Sequence, residues 1–191
     1  RGRLSPFAGA LTHAGGTLWH RRVTRAVHAA GGRIVMQILH AGRYAYQPLA
    51  ESASALRSPI SPFTPHAMSD ARIRRVIAHF ARAAGLAQRG GYDGVEIMGS
   101  EGYLINQFLS SRVNQRSDRW GGSIDARMQL AVEIAKSVRA RVGDDFIVMF
   151  RLSLLDLVDG GNTMAETIAV AQALEHAGIT LLNSGIGWHD F

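Results

Sequence analysis

Five kinds of side chain that could do chemistry recur at similar places in this chain. Glu101 and Tyr103 follow a short apolar run, in EIMGSEGYLINQFLSSRVNQRSDRWGG over residues 96–122, with Arg112 a few residues later. Gln37, then His40 and Arg43, close a second apolar run; Arg151 closes a third, and Trp188 with His189 follow a fourth. An amide, a guanidinium, a phenol, an imidazole and a carboxylate can recognise a polar substrate and move a proton. They supply no evident nucleophile. Cysteine is absent, and so are a GxSxG elbow, an HExxH and any cluster of His, Asp and Glu at ligand spacing, so nucleophile-elbow and metal-hydrolase chemistry are poorly supported and no metal site is expected. Such a set would be completed by a bound cofactor that carries the difficult step.

The elements that must position these groups alternate regularly. Residues 33–39, 94–98, 146–150 and 179–182 are short apolar runs rich in Ile, Val, Leu, Met and Phe, as expected of strands buried on both faces. Residues 16–30, 71–89, 123–141 and 163–177 carry apolar positions three to four apart, as expected of amphipathic helices. Thr17, Ser69 and Thr163 are expected N-caps; Thr163 with Glu166 has the spacing of a capping box, and Gly31, Gly90, Gly143 and Gly178 punctuate the helix ends. In the first helix, Leu18, Trp19, Val23, Ala26, Val27 and Ala30 form the stripe expected to face inward. Strands alternating with helices imply a parallel sheet, either an open doubly wound sheet or a (β/α)8 barrel. An open nucleotide-binding sheet would carry a glycine-rich phosphate loop, and neither GxGxxG nor GxxxxGK[ST] occurs. Polar groups at the ends of several strands favour the barrel, whose site is assembled at one face from many strand ends. Four βα units are about half of one.

Composition narrows the class. At 47% hydrophobic and 19% charged, the 191 residues suit a globular domain, and no run approaches the roughly 20 apolar residues of a membrane span. The net charge of +6 comes almost wholly from arginine, Lys136 being the single lysine. These arginines are scattered, with no basic run or aromatic stacking platform, so no nucleic-acid partner is expected. No membrane partner or signal peptide is expected either, a reducing, cytoplasmic setting is the default, and composition leaves the oligomeric state open. The chain opens at Arg1 in loop-type sequence and stops at Phe191 after another loop signal, as expected of a segment of a longer protein.

Four stretches together resemble the FMN-dependent old yellow enzyme family: MQILHAGRYAY (36–46), YDGVEIMGSEGYLINQFLSSRVNQRSDRWGGS (92–123), FRLSLLDLV (150–158) and NSGIGWH (183–189). Within that family they are most similar to the NADPH-dependent 2,4-dienoyl-CoA reductase branch. The resemblance implies that residues 1–191 are a partial FMN-binding (β/α)8 TIM barrel, lacking an N-terminal strand and C-terminal βα units. Gln37 would then pair with the flavin pyrimidine edge, and Arg151 would face the N1/C2 carbonyl. Tyr103 would be the proton donor with His189, Glu101 would hold that network, and Arg112 would meet an acyl-CoA substrate. Many family members place a His and a His or Asn just before the tyrosine to polarise a carbonyl; Met98 and Glu101 stand there instead, which favours a dienoyl thioester over a simple enone. The full-length protein is expected to add an iron–sulfur cluster, FAD and NADPH, and the isolated segment is expected to be inactive. The alternatives are an ene-reductase or NADH:flavin oxidoreductase acting on another enone, and a non-flavin barrel that only binds.

Overall fold

The computed structural model describes residues 2–6 and 8–190; the two chain ends at Arg1 and Phe191, read above as cut points, lie outside the described residues. Four parallel strands, β1 (Val35–Ile38), β4 (Gly94–Gly99), β5 (Ile147–Leu155) and β6 (Leu181–Ile186), form a sheet in that order. Each successive pair is joined through a helix: α2 (Asp70–Arg89) before β4, α5 (Gln129–Val142) before β5 and α6 (Met164–His176) before β6. Sequential parallel strands with helical crossovers form one arc of a (β/α)8 barrel. Val95 and Ile97 of β4, with Val148 and Phe150 of β5, pack against Ile73, Val76 and Phe80 of α2 and Ile134 and Val138 of α5 in one core. Side chains such as Ile97 and Phe150 are fully buried, each stabilising the fold by about 1.5–3 kcal/mol.

Local signals start the helices as expected. The Ser69 hydroxyl accepts from Arg72 N, and Thr163 with Glu166 closes a reciprocal capping box. At Gly143 the backbone takes φ 78°, which a residue with a Cβ rarely adopts.

Elsewhere the fold departs from the local pattern. Helix α1 (Thr17–Ala29) forms, but its apolar stripe is not buried: Trp19 is 71% and Leu18 64% exposed. Its buried residues are Thr17 and Thr24, and it docks by polar contacts, Thr24 Oγ1 donating to Gly90 O and Arg21 Nε to Arg89 O. Thr17 is not the cap, because its hydroxyl donates back to Ala14 O and Gly16 takes that position. The helix expected over 123–141 breaks at Met128 into α4 (Ile124–Arg127) and α5. A short helix, α3 (Leu104–Leu109), stands where a loop was expected, and a two-residue parallel pair, β2 (Glu51–Ser52) with β3 (His66–Ala67), lies in the Pro- and Ser-rich loop. Strand β5 does not end at Phe150 but runs to Leu155, since β4 and β6 hydrogen-bond along its two sides. Strand β6 is set later than residues 179–182 for the same reason. Arg151 therefore lies inside a strand rather than beyond its end.

Candidate active site

Strand register lays the functional groups out in rows on the sheet face opposite the helices. Gln37, Glu96 and Met149 are side by side in one row; Met98, Arg151 and Asn183 form the next. Glu96 is only 7% exposed, and its two oxygens are taken by two amides: Gln37 Nε2 donates to Oε2 at 2.7 Å and Asn183 Nδ2 to Oε1 at 2.6 Å. A buried carboxylate needs such donors, and in return it fixes which way the Gln37 amide points. Gln37 is left exposed on this face, with Oε1 accepting no hydrogen bond among the described residues.

Beyond β4 the chain turns sharply. Glu101 adopts φ 59° and Gly102 φ 81°. For Glu101 this left-handed backbone is unfavourable and must be held from outside. Two amides of α3 do so: Asn106 Oδ1 accepts from Gly102 N at 2.8 Å, and Gln107 Nε2 donates to Gly102 O at 2.6 Å. Gln107 also ties in the turn after β1, accepting from Arg43 N and Ser52 Oγ. A Cβ at Gly102 would run into the Tyr44 hydroxyl and the Trp188 ring, so the turn admits only glycine. The turn aims the Glu101 carboxylate along the strand ends. Its Oε1 accepts from Arg151 Nε at 3.0 Å and Nη2 at 2.7 Å, and its Oε2 lies 3.5 Å from His189 Nε2.

Tyr103 stands at the start of α3, half-buried, with its ring edge-on to His189 (centroids 5.3 Å apart) and to Tyr44 (5.7 Å). Burial, and then the Glu101 charge, push its phenol above the ordinary tyrosine value, so it keeps its proton at neutral pH. The structure thus brings Glu101, Tyr103, Arg151 and His189 together, with Gln37 one strand further along the same face. Arg112 is fastened to the loop after β5, its N and Nη1 donating to Gly160 O and Asp159 O. His40, in the turn after β1, is buried, Nδ1 accepting from Gly42 N, and burial lowers its pKa to about 3, so it remains neutral. Pattern reading missed Glu96, Tyr44, Asn106 and Gln107; all four fall within the quoted motifs, but nothing local marks the part each plays.

The sequence matches the NADH:flavin oxidoreductase / NADH oxidase family over residues 11–189, nearly its whole length. The chain belongs to this family. It is 40% identical to a metal reductase of Desulforamulus reducens over 89% of this chain and 26% of that protein. Among solved structures it superposes on a 2-naphthoyl-CoA reductase in complex with 2-naphthoyl-CoA with a TM-score of 0.92 at 31% identity, covering 99% of this chain and 31% of the other. An old yellow enzyme homologue from Zymomonas mobilis gives 0.86 at 26% identity, covering 97% and 57%. The chain thus spans only a part of the length of each of these relatives.

The donor set suits FMN, the family's cofactor. The imide edge of a flavin asks for one donor and one acceptor side by side, and Gln37 retains a free carbonyl and a second amide hydrogen. The flavin N1/C2 region gathers negative charge on reduction. Arg151, whose Nη1 bonds nothing among the described residues, can face it. This cation is shared with Glu101. Among the described residues there is no group of three or more His, Asp or Glu able to hold a metal, and no helix is long and apolar enough to cross a membrane.

Proposed function

We propose that this chain is the partial barrel, residues 1–191, of a flavin-dependent reductase that saturates a conjugated C=C bond of an acyl-CoA thioester of the 2,4-dienoyl type, with NADPH as electron source. One observation carries the reading: Tyr103 and His189 meet edge-on at 5.3 Å beside a carboxylate that joins His189 to Arg151. FMN, when bound, supplies the hydride. Tyr103 holds the proton that balances it, gives it from Oη to the substrate carbon that has become enolate-like, and regains it through His189. Glu101 stands beside this pair, its Oε2 3.5 Å from His189 Nε2, and holds the network together. Met98, a thioether on the face where Tyr103 and Arg151 converge, cannot polarise a ketone, which turns the reading from simple enones towards a thioester. Likeness to a protein named for its naphthoyl-CoA complex supports a CoA substrate, with Arg112 on the rim to meet it. By this reading an iron–sulfur cluster, FAD and the NADPH site lie in other parts of the full-length protein.

Anaerobic assays of the full-length protein with NADPH test the reading. A 2,4-dienoyl-CoA should be turned over far faster than cyclohexenone, and the opposite order would overturn it. A second reading, reduction of a simple enone, is favoured by the likeness to the Zymomonas mobilis old yellow enzyme homologue, and the same assay decides between the two.

A further inference from the structure

His189, to which the proposed function assigns proton return, is poorly held by its own contacts. Its side chain is 46% exposed, and the polar neighbour it has among the described residues, Glu101 Oε2, is 3.5 Å away. The residues on either side of it are held firmly. Asp190 has 1% of its side chain exposed; one oxygen pairs with Arg43 Nη2 and the other accepts from Ser58 Oγ at 2.7 Å. The same Arg43 guanidinium lies over the Trp188 ring at 5.5 Å and the Tyr44 ring at 5.8 Å. Upstream, Gly187 N donates to Leu155 O at 2.8 Å, anchoring the turn where it leaves β6. The short segment bearing His189 is thus pinned at both ends to strands and loops that do not contain it.

We infer that the buried Arg43–Asp190–Ser58 clasp is a positioning device for His189, setting its ring against Tyr103 rather than simply stabilising the fold. A buried ion pair contributes little net stability, because the desolvation of both charges offsets their attraction. What it does supply is direction, since a guanidinium and a carboxylate join in few geometries. Here that direction links the turn after β1 to the turn after β6 across the mouth of the site. Arg43 and Asp190 make no hydrogen bond to Glu101 or Tyr103 among the described residues; they reach the site through the segment that bears His189 and through the Tyr44 ring, which stands edge-on to both His189 and Tyr103. A displacement of about 1 Å at a reacting group can cost on the order of a hundred-fold in rate.

The inference rests on the proton-return role of His189, and the test separates the two. In the full-length flavoprotein, Asp190→Asn should lower kcat per bound FMN about ten-fold with KM and FMN content unchanged. Ser58→Ala should lower it by a smaller factor. In a His189→Ala background, Asp190→Asn should lower it no further. Crystals of Asp190→Asn should show the His189 ring moved from Tyr103. Wild-type kcat per FMN in Asp190→Asn, with only a lower melting temperature, would overturn the clasp as a positioning device; if that variant does not fold, an unchanged kcat in Ser58→Ala overturns it instead. If His189→Ala alone keeps wild-type turnover, the proton-return reading fails, and the ring position in the Asp190→Asn crystals then decides the clasp by itself.

Discussion

Each end of the sheet gathers basic groups around one carboxylate, and the two ends do it differently. At the amino end Asp93 accepts from Ile34 N at 2.8 Å, His28 Nε2 at 2.9 Å and Arg33 Nη1 at 2.9 Å, joining α1 to the first two strands. Its backbone is ordinary, and these donors hold its carboxyl well below the usual range. At the carboxyl end Glu101 has two bonds from a single arginine, a distant imidazole and a left-handed backbone. Leu157, the other non-glycine residue with positive φ among the described residues, also follows a strand at that end. Among the described residues, the non-glycine positions with positive φ thus lie at the end where proton transfer is proposed. The amino end uses the same chemistry with every oxygen engaged, as befits a structural anchor.

Substitutions can break that contrast. The largest effect is expected at the carboxyl end: Tyr103→Phe in the full-length enzyme should lower turnover on the order of a hundred-fold or more while FMN stays bound, as for removal of a general acid. Retained turnover by stopped-flow flavin reoxidation would remove Tyr103 from the chemistry. Glu101→Gln keeps the shape but drops the charge facing Arg151 and His189, and should lower kcat roughly ten-fold, measured on the same substrate. Glu96→Gln brings a donor amide between two donor amides; we expect several-fold weaker FMN binding by fluorescence titration, with Gln37 free to rotate.

Asp93→Asn should show the opposite profile: a loss of about 1–3 kcal/mol in urea unfolding, from hydrogen bonds to a charged acceptor, with kcat per FMN unaltered. Its pH dependence follows from the sign of the shift. The folded-state pKa lies below that of the unfolded chain, so the stabilisation is complete above about pH 4 and is lost as pH falls towards the folded value. The gap between wild type and Asp93→Asn should therefore close in acid. A gap that widened would reverse the assignment. The smallest effect is expected from Trp19→Ser on the exposed face of α1, within about 0.5 kcal/mol; a larger loss in the same unfolding experiment would mean that this face is covered.

Much of this was legible locally, and the reasons are specific. Helices α2 and α6 could be placed because their caps, Ser69 and Thr163 with Glu166, lie three residues from the groups they satisfy. Glu101, Tyr103, Arg151 and His189 could be picked out because each follows or closes an apolar run. Burial of α1 could not be read: its stripe shows that one face is apolar, whereas whether a neighbour covers it depends on packing. Nor could the length of β5, since a strand continues while partners hydrogen-bond on its flanks, whatever its own residues prefer.

By itself, then, the sequence determined the alternation of strand and helix, the parallel sheet it implies and the kinds of group offered at the strand ends, all properties of neighbours along the chain. Only the tertiary structure decided how those groups are aimed. Asp190 reaches Arg43 across 147 positions, Glu96 joins Gln37 to Asn183, and two amides of α3 hold Glu101 in a backbone state it would not choose. Such pairings exist only after the sheet has set its register, which is why candidate groups at the strand ends could be named in advance and their geometry could not.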